Sequence, residues 1–82
     1  MKRRLSTLSV GERGRIVAVT NRGAIHRRLM DIGFTEGTRV ECMGRSPLGD
    51  PTAYAVKGTV VALRREDAAG IYVETGGRIE WV

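Results

Sequence analysis

The chain carries two strand-like runs, Thr52-Ala53-Tyr54-Ala55-Val56-Lys57 and Thr59-Val60-Val61-Ala62-Leu63, with only Gly58 between them. β-Branched and aromatic residues, which favour the pleated conformation of a strand, are frequent in both runs. A single glycine leaves room only for a tight turn, so the two runs are predicted to pair as an antiparallel hairpin. The sequence does not fix the register of that pairing.

The segment before the hairpin, Pro47-Leu48-Gly49-Asp50-Pro51, is predicted to be a loop. Its two prolines and one glycine interrupt both a helix and a sheet ladder. The prolines also restrict the conformations of the loop, so that it would lose little entropy on docking to a partner. Leu48 places an apolar side chain at the tip of this loop.

One helix is predicted over residues 24–32. Ile25, Leu29 and Ile32 recur at the i, i+4 and i+7 spacing that puts side chains on one helical face. Gly33 follows as a C-terminal stop. This helix therefore presents one apolar stripe to the rest of the domain.

Three further strand-like segments and one helical turn surround the helix and the hairpin. Residues 14–20 are rich in β-branched side chains, and residues 38–42 alternate between polar and apolar. After the hairpin, residues 65–70 suit one helical turn closed by glycine, and residues 71–74 return to the period of two. A short tail, residues 78–82, follows two glycines and is a candidate edge strand.

The fold class is therefore mainly β: a small barrel of about five strands with one inserted α-helix and a short helical turn. The strands after Arg39 follow one another too closely for the crossover helices of a parallel sheet. Eleven glycines in 82 residues supply the sharp corners that small barrels need. A single domain is expected over residues 1–82, with its core in 5–75 and a tail in 76–82.

Composition excludes several classes of protein. With 41% hydrophobic and 28% charged residues, the chain resembles a folded globular protein rather than a disordered or membrane-spanning one. No apolar segment follows the basic start Met1-Lys2-Arg3-Arg4, so the sequence lacks the pattern of a signal peptide. Cys42 is the only cysteine and cannot form an intramolecular disulfide. A cytoplasmic protein is expected.

The net charge of +5 raises the alternative of a small nucleic-acid-binding β-barrel. Basic pairs such as Arg27-Arg28 and Arg64-Arg65 are scattered, and acidic residues lie between them. The aromatic residues are also too widely spaced to form a platform on which bases stack; they are Phe34, Tyr54, Tyr72 and Trp81. Binding to nucleic acid is therefore not expected.

The sequence contains few residues of the types that act in catalysis. One histidine and one cysteine give few options for a nucleophile with a base or for a metal centre. Gly11 and Gly14 resemble pieces of a phosphate-binding loop, but no Gly-Lys-Ser or Gly-Lys-Thr ending follows them, and they are interpreted as turn formers. His26 is interpreted as a partly exposed or hydrogen-bonded helix residue and Cys42 as a small apolar core residue. No catalytic residue, no metal ligand and no cofactor is predicted.

Several motifs occur in an order that resembles the FeoA family. They cover nearly the whole chain, from about Leu5 to Glu74, and are Leu8-Ser-Val-Gly11-Glu-Arg-Gly14-Arg-Ile16, Arg28-Leu29-Met-Asp-Ile-Gly33-Phe34, Gly37-Thr-Arg-Val40, Ser46-Pro-Leu-Gly-Asp-Pro51 and Ala62-Leu-Arg64. The sequence departs from the family's pattern at Glu36, where proline is frequent, and in the tail from Gly76 to Val82.

The resemblance implies an SH3-like β-barrel that acts in the cytoplasm as a non-catalytic accessory of ferrous iron uptake. It implies a partner, the FeoB-type membrane transporter, which carries its own GTPase domain, and a role in binding and modulating that transporter. The domain is also similar to the barrel appended to metal-dependent repressors, which leaves a metal-sensing regulatory module as an alternative. The chain itself is not expected to span the membrane and is expected to be a monomer.

A partner-binding surface is predicted from the loop, the hairpin and the helix. It comprises Leu48, Asp50, Tyr54 and the helix residues Arg27 and Arg28. The alternative is structural: Leu48 folds back over the end of the barrel, Asp50 caps a turn, and both arginines are simply solvated. The predicted core is Ile16, Leu29, Ile32, Phe34, Val40, Leu63, Ile71 and Val73.

Overall fold

The computed structural model describes residues 1–76, which form six strands, two α-helices and one short 3-10 helix. The strands are β1 (Lys2–Arg4), β2 (Arg13–Val19), β3 (Arg39–Arg45), β4 (Thr52–Val56), β5 (Thr59–Leu63) and β6 (Ile71–Glu74). The helices are α1 (Ala24–Ile32) and α2 (Arg65–Ala68), and the 3-10 helix is Leu5–Thr7. The mainly β prediction with one inserted helix and one helical turn is confirmed. The predicted tail strand, 78–82, lies outside the described residues.

The six strands form one antiparallel sheet in the order β1-β6-β2-β3-β4-β5. The sequence does not predict β1, because a run of three basic residues has neither β propensity nor an apolar period. Its strand conformation comes from pairing with β6, where Arg3 lies opposite Val73. β1 and β5 are the outer strands, and among residues 1–76 no ladder joins them. Within these residues the sheet curves as a barrel whose two outer strands remain unpaired with each other.

The predicted hairpin is confirmed, and the structure supplies its register. Val56 lies opposite Thr59, and Tyr54 lies opposite Val61. The two loop residues, Lys57 and Gly58, both have positive φ, at 48° and 75°. That pair of conformations is typical of the type I′ turn, whose twist matches that of two paired strands.

Helix α1 ends at Gly33, as the sequence predicts. Gly33 adopts φ 127°, and its N–H donates to the carbonyls of Leu29 and Met30. The N–H of Phe34 also donates to the Leu29 carbonyl at 2.9 Å, so the last turn of the helix is satisfied by its own backbone. This termination brings the buried Phe34 directly beneath the helix and into the core.

One core lies inside the curved sheet. Seven of the eight predicted core residues are buried, and Ile32 is partly buried against them. Cys42 is also buried, as predicted. The sequence prediction missed five core members, which are Leu5, Leu8, Tyr54, Val56 and Ala68. Leu5 and Leu8 lie in and after the 3-10 helix, a segment with no regular apolar period.

Candidate partner-binding site

The loop before β4 is held in one conformation by backbone hydrogen bonds. The N–H of Ser46 donates to the carbonyl of Pro51 at 3.0 Å, and the N–H of Gly49 donates to the carbonyl of Ser46 at 2.8 Å. At the tip of this closed loop the side chain of Leu48 is 94% exposed. The alternative in which Leu48 folds back over the barrel is therefore wrong in this structure.

Asp50 connects the loop to helix α2. Its Oδ1 accepts a hydrogen bond from the backbone N–H of Arg65 at 2.9 Å, at the first residue of that helix. Asp50 was predicted either to contact a partner or to cap a turn. In the structure it has a capping role, because its carboxylate satisfies a backbone donor that the helix leaves free. The loop and the end of β5 are thereby fixed relative to each other.

The two arginines of α1 lie on its exposed side. Arg27 and Arg28 are exposed, whereas Leu29 is buried and Ile25 is partly buried against the core. Arg28 lines a groove of about 240 Å³ that Pro51 also lines. The structure therefore brings Arg28 and Pro51 to the same groove, whereas Leu48 and Asp50 do not line it.

The groove runs between α1 and β5. Its apolar wall includes Ile25 and Leu29 from the helix and Val61 and Leu63 from the strand. Its charged side chains are Arg28, Arg64 and Asp67. A groove that combines aliphatic side chains with two arginines can accept an apolar side chain and an accompanying carboxylate.

Tyr54 does not contribute to this surface. Only 1% of the residue is exposed, and its hydroxyl lies 3.5 Å from the carbonyl oxygen of Leu5. Burial raises the pKa of the Tyr54 hydroxyl. The expectation of a surface tyrosine is corrected: Thr52, Tyr54 and Val56 alternate as the buried side of β4. That alternation is visible in the sequence and would have placed Tyr54 inside.

Neither His26 nor Cys42 lies in this groove. Burial raises the pKa of the Cys42 thiol, which lies fully inside the core. His26 is partly buried beside Met30 and Glu36, and its Nδ1 has no hydrogen-bond partner. In residues 1–76 no three side chains of the His, Cys, Asp or Glu types are grouped so that they could hold a metal ion.

The comparisons with known proteins agree with the motifs in the sequence. The profile of the FeoA domain family matches residues 3–75. The chain belongs to the FeoA family. This family is associated with ferrous iron transport.

Two solved FeoA structures are similar over most of the chain. The FeoA protein from Chlorobium tepidum is 34% identical, with a TM-score of 0.86 over 96% of this chain and 75% of that one. FeoA from Stenotrophomonas maltophilia, described as an SH3-domain protein and solved with zinc, is 31% identical, with a TM-score of 0.77 over 90% of this chain and 89% of that one. The SH3-like fold inferred from the sequence is confirmed.

A longer relative joins this kind of domain to a transporter. The chain is 42% identical over 71 residues to the Fe(2+) transport protein A/Fe(2+) transporter FeoB fusion protein of Porphyromonas gingivalis. That match covers 87% of this chain but only 8% of the fusion protein. Among residues 1–76 of the FeoA chain itself, neither helix has the length and apolar character needed to cross a bilayer.

Proposed function

We propose that this FeoA chain is a non-catalytic accessory of ferrous iron uptake, which binds the cytosolic side of a FeoB-type transporter and modulates its activity. The observation that supports this proposal best is the fusion protein of Porphyromonas gingivalis, in which a related FeoA segment and a FeoB transporter form one polypeptide. Covalent linkage keeps two domains at a high effective concentration, which is useful when they act on each other.

The surface of the domain supports a binding role. Leu48 exposes 94% of an apolar residue on a hydrogen-bonded loop, and an ordered loop loses little conformational entropy when it docks. Arg27 and Arg28 lie on the exposed side of the neighbouring helix. Their guanidinium groups suit a partner surface that carries carboxylates, since arginine and carboxylate form paired, charge-assisted hydrogen bonds.

Co-purification of the full transporter with this chain tests the proposal. The transporter is expected to retain the chain, and its rates of nucleotide hydrolysis and ferrous uptake are expected to change when the chain is present. Leu48→Asp and Arg28→Glu should each weaken retention by about tenfold, the loss typical of an interface contact of moderate importance.

A matched control separates this surface from general effects of charge. Val10 is 59% exposed and lies outside the loop, α1 and the groove, so Val10→Asp should leave retention unchanged. Absence of retention, or retention that all three variants leave intact while transport is unaffected, would contradict the proposal.

A further inference from the structure

The outer strand β5 presents backbone groups that the sheet leaves unpaired. Among residues 1–76, β5 has a hydrogen-bonded neighbour, β4, on one side only. Because pairs in an antiparallel ladder alternate, and Val56 and Thr59 flank a two-residue turn, Val60 and Ala62 direct their N–H and C=O groups away from β4. Within residues 1–76 no other backbone group pairs with them.

The sequence of β5 does not protect this edge. Edge strands in natural proteins usually carry charges, a proline or a bulge that prevents pairing with another chain. β5 has none of these: its five residues are uncharged, its ladder with β4 is regular, and Val60 is 62% exposed. The edge is therefore suited to accept another extended segment.

The groove lies beside the same strand. Val61 and Leu63, which alternate with the edge residues, line it together with Ile25 and Leu29 of α1. A segment added to β5 would pair its backbone with Val60 and Ala62, and every second side chain would enter the groove. This combination of strand addition with a side-chain pocket is a general mode of peptide recognition.

The charges around the edge indicate what the added segment carries. Two exposed cations, Arg28 and Arg64, lie at the groove with one carboxylate, Asp67. Arg64 follows β5 directly and keeps an extended backbone (φ −66°, ψ 149°), so the alternation of the strand places it on the same side as Val60 and Ala62. Acidic side chains on the outer side of the added strand would meet this cation.

A second copy of the chain fits the edge less well. Pairing Val60 with Ala62 of a second copy would bring the Arg64-Arg65 end of each β5 strand towards the Lys57 end of the other, with like charges at both ends. Each copy also carries a net charge of +5, so two copies repel each other. The edge chemistry favours a different chain, with alternating apolar and acidic residues.

We infer that the β5 edge and the α1–β5 groove bind an extended segment of a partner protein as a seventh strand, with apolar side chains in the groove and acidic side chains on the outer face. This inference rests on the proposed function for the identity of the partner, a cytosolic segment of the transporter. The binding chemistry itself depends only on β5 and the groove.

The test uses the full chain, the full transporter and a synthetic peptide, acetyl-Glu-Val-Glu-Val-Glu-Val-Glu-amide. Ala62→Pro removes one outward N–H without touching the β4 ladder, and proline is tolerated on the open side of an edge strand. Ala62→Ser keeps the N–H and is the matched control. Calorimetry should show binding of both ligands weakened about tenfold by Ala62→Pro, as expected when one or two backbone hydrogen bonds are lost, and unchanged by Ala62→Ser.

A modified peptide gives the same test without altering the protein. The residues opposite Val60 and Ala62 share their outer face, so the glutamates supply the bonded N–H groups. Methylation of the glutamate nitrogens should abolish binding to the unchanged chain. If the methylated and plain peptides bind alike, or if sedimentation shows a dimer of the chain that Ala62→Pro dissociates, the strand-addition site is wrong.

The two proposals can fail separately. A transporter that binds wild-type and Ala62→Pro chains equally would refute strand addition and leave the accessory role intact. A peptide that binds in the predicted way, combined with a transporter that does not bind at all, would refute the accessory role and leave the strand site intact.

Discussion

The two outer strands of the sheet differ in nearly every property that governs an edge. β1 is three residues long and entirely basic, whereas β5 is five residues long and carries no charge. Two cations of β1 contact Tyr72 of the neighbouring strand β6. Lys2 Nζ lies 5.3 Å from the ring centre of Tyr72, and Arg4 Nε donates to the Tyr72 hydroxyl at 3.2 Å. β5 instead exposes Val60 and lies beside the groove that it forms with α1.

This difference indicates that the two edges have different roles. A short, charged edge strand prevents pairing with other chains. Arg3 reinforces β1 by donating to the Glu12 carboxylate at 2.9 Å, so that strand is fixed to the residue just before β2. In the part of the chain that the structure describes, one edge is thus protected by charge and the other is open, which is expected if only β5 serves a partner.

The largest expected change in stability separates a buried leucine of β5 from the exposed leucine of the proline loop. Leu63 is 6% exposed, and Leu63→Ala should lower the free energy of unfolding by about 3 kcal/mol, because the mutation leaves a cavity in the core. Urea titration followed by circular dichroism measures this change. Leu48→Ala removes the same atoms from an exposed site and should change stability by less than about 0.5 kcal/mol. Equal losses in the two variants would contradict the assignment of core and surface.

The next largest change in stability is expected in the turn that joins β4 to β5. Gly58 has φ 75° and open space around it, so Gly58→Ala should cost about 1 kcal/mol through backbone strain alone. Gly44→Ala is the matched control, since Gly44 also has open space but no positive φ. Thermal unfolding of both variants checks this expectation. A destabilised Gly44→Ala with an unaffected Gly58→Ala would show that the turn is not what holds the hairpin.

The edge of β5 is expected to be dispensable for folding. Val60→Lys places a charge on an exposed edge residue and should change the free energy of unfolding by less than about 0.5 kcal/mol. Val61→Lys puts the same side chain against the core and should cost about 1–3 kcal/mol. Chemical denaturation of the pair measures the contrast. A Val60→Lys chain as unstable as Val61→Lys would mean that the edge serves the fold rather than a partner.

The smallest expected change is in the pH dependence of stability, through the Arg3–Glu12 pair that supports β1. The hydrogen bond from Arg3, and after it that from the Ser9 backbone, hold the pKa of Glu12 below its usual range. A carboxyl group with a lowered pKa contributes stability above its unfolded-state pKa, and this contribution is lost as pH falls through the folded-state value. The stability that Glu12 contributes should therefore decline below about pH 4.3, the ordinary pKa of glutamate.

Unfolding measured across this range tests the assignment to the Arg3–Glu12 pair. Glu12→Gln should remove the decline in stability, because it removes the titrating group. Arg3→Gln should remove most of the decline, because it removes the main cause of the lowered pKa of Glu12. A slope that both variants leave unchanged would show that the pair does not couple stability to pH.

Most of the fold could be predicted from local patterns. Helix α1, its stop at Gly33 and the hairpin follow from spacing and turn chemistry, which act over a few residues. β1 could not be predicted, because it forms only through pairing with β6, about 70 residues away. Closure of the barrel was expected from strand number alone, but which strands become edges depends on the order in which they pair.

The candidate site was predicted in part. The sequence left two positions open for Leu48, and the structure has the exposed one. Arg28 was grouped with the proline loop, and it lines a groove together with Pro51. Tyr54 was misplaced, although the alternation along β4 could have corrected it. The edge at Val60 and Ala62 was missed because the sequence did not fix the register of the hairpin.

Amide hydrogen exchange in the complex with the transporter tests the account most directly. Exchange is run on the bound chain, quenched, and measured by NMR after the chain is released. Protection is expected to appear at the N–H groups of Val60 and Ala62, which have no backbone partner within residues 1–76, and not along Lys2–Arg4. Protection confined to β1 or to the Leu48 loop, with both β5 amides exchanging as fast as before, would contradict the assignment of the open edge to the partner.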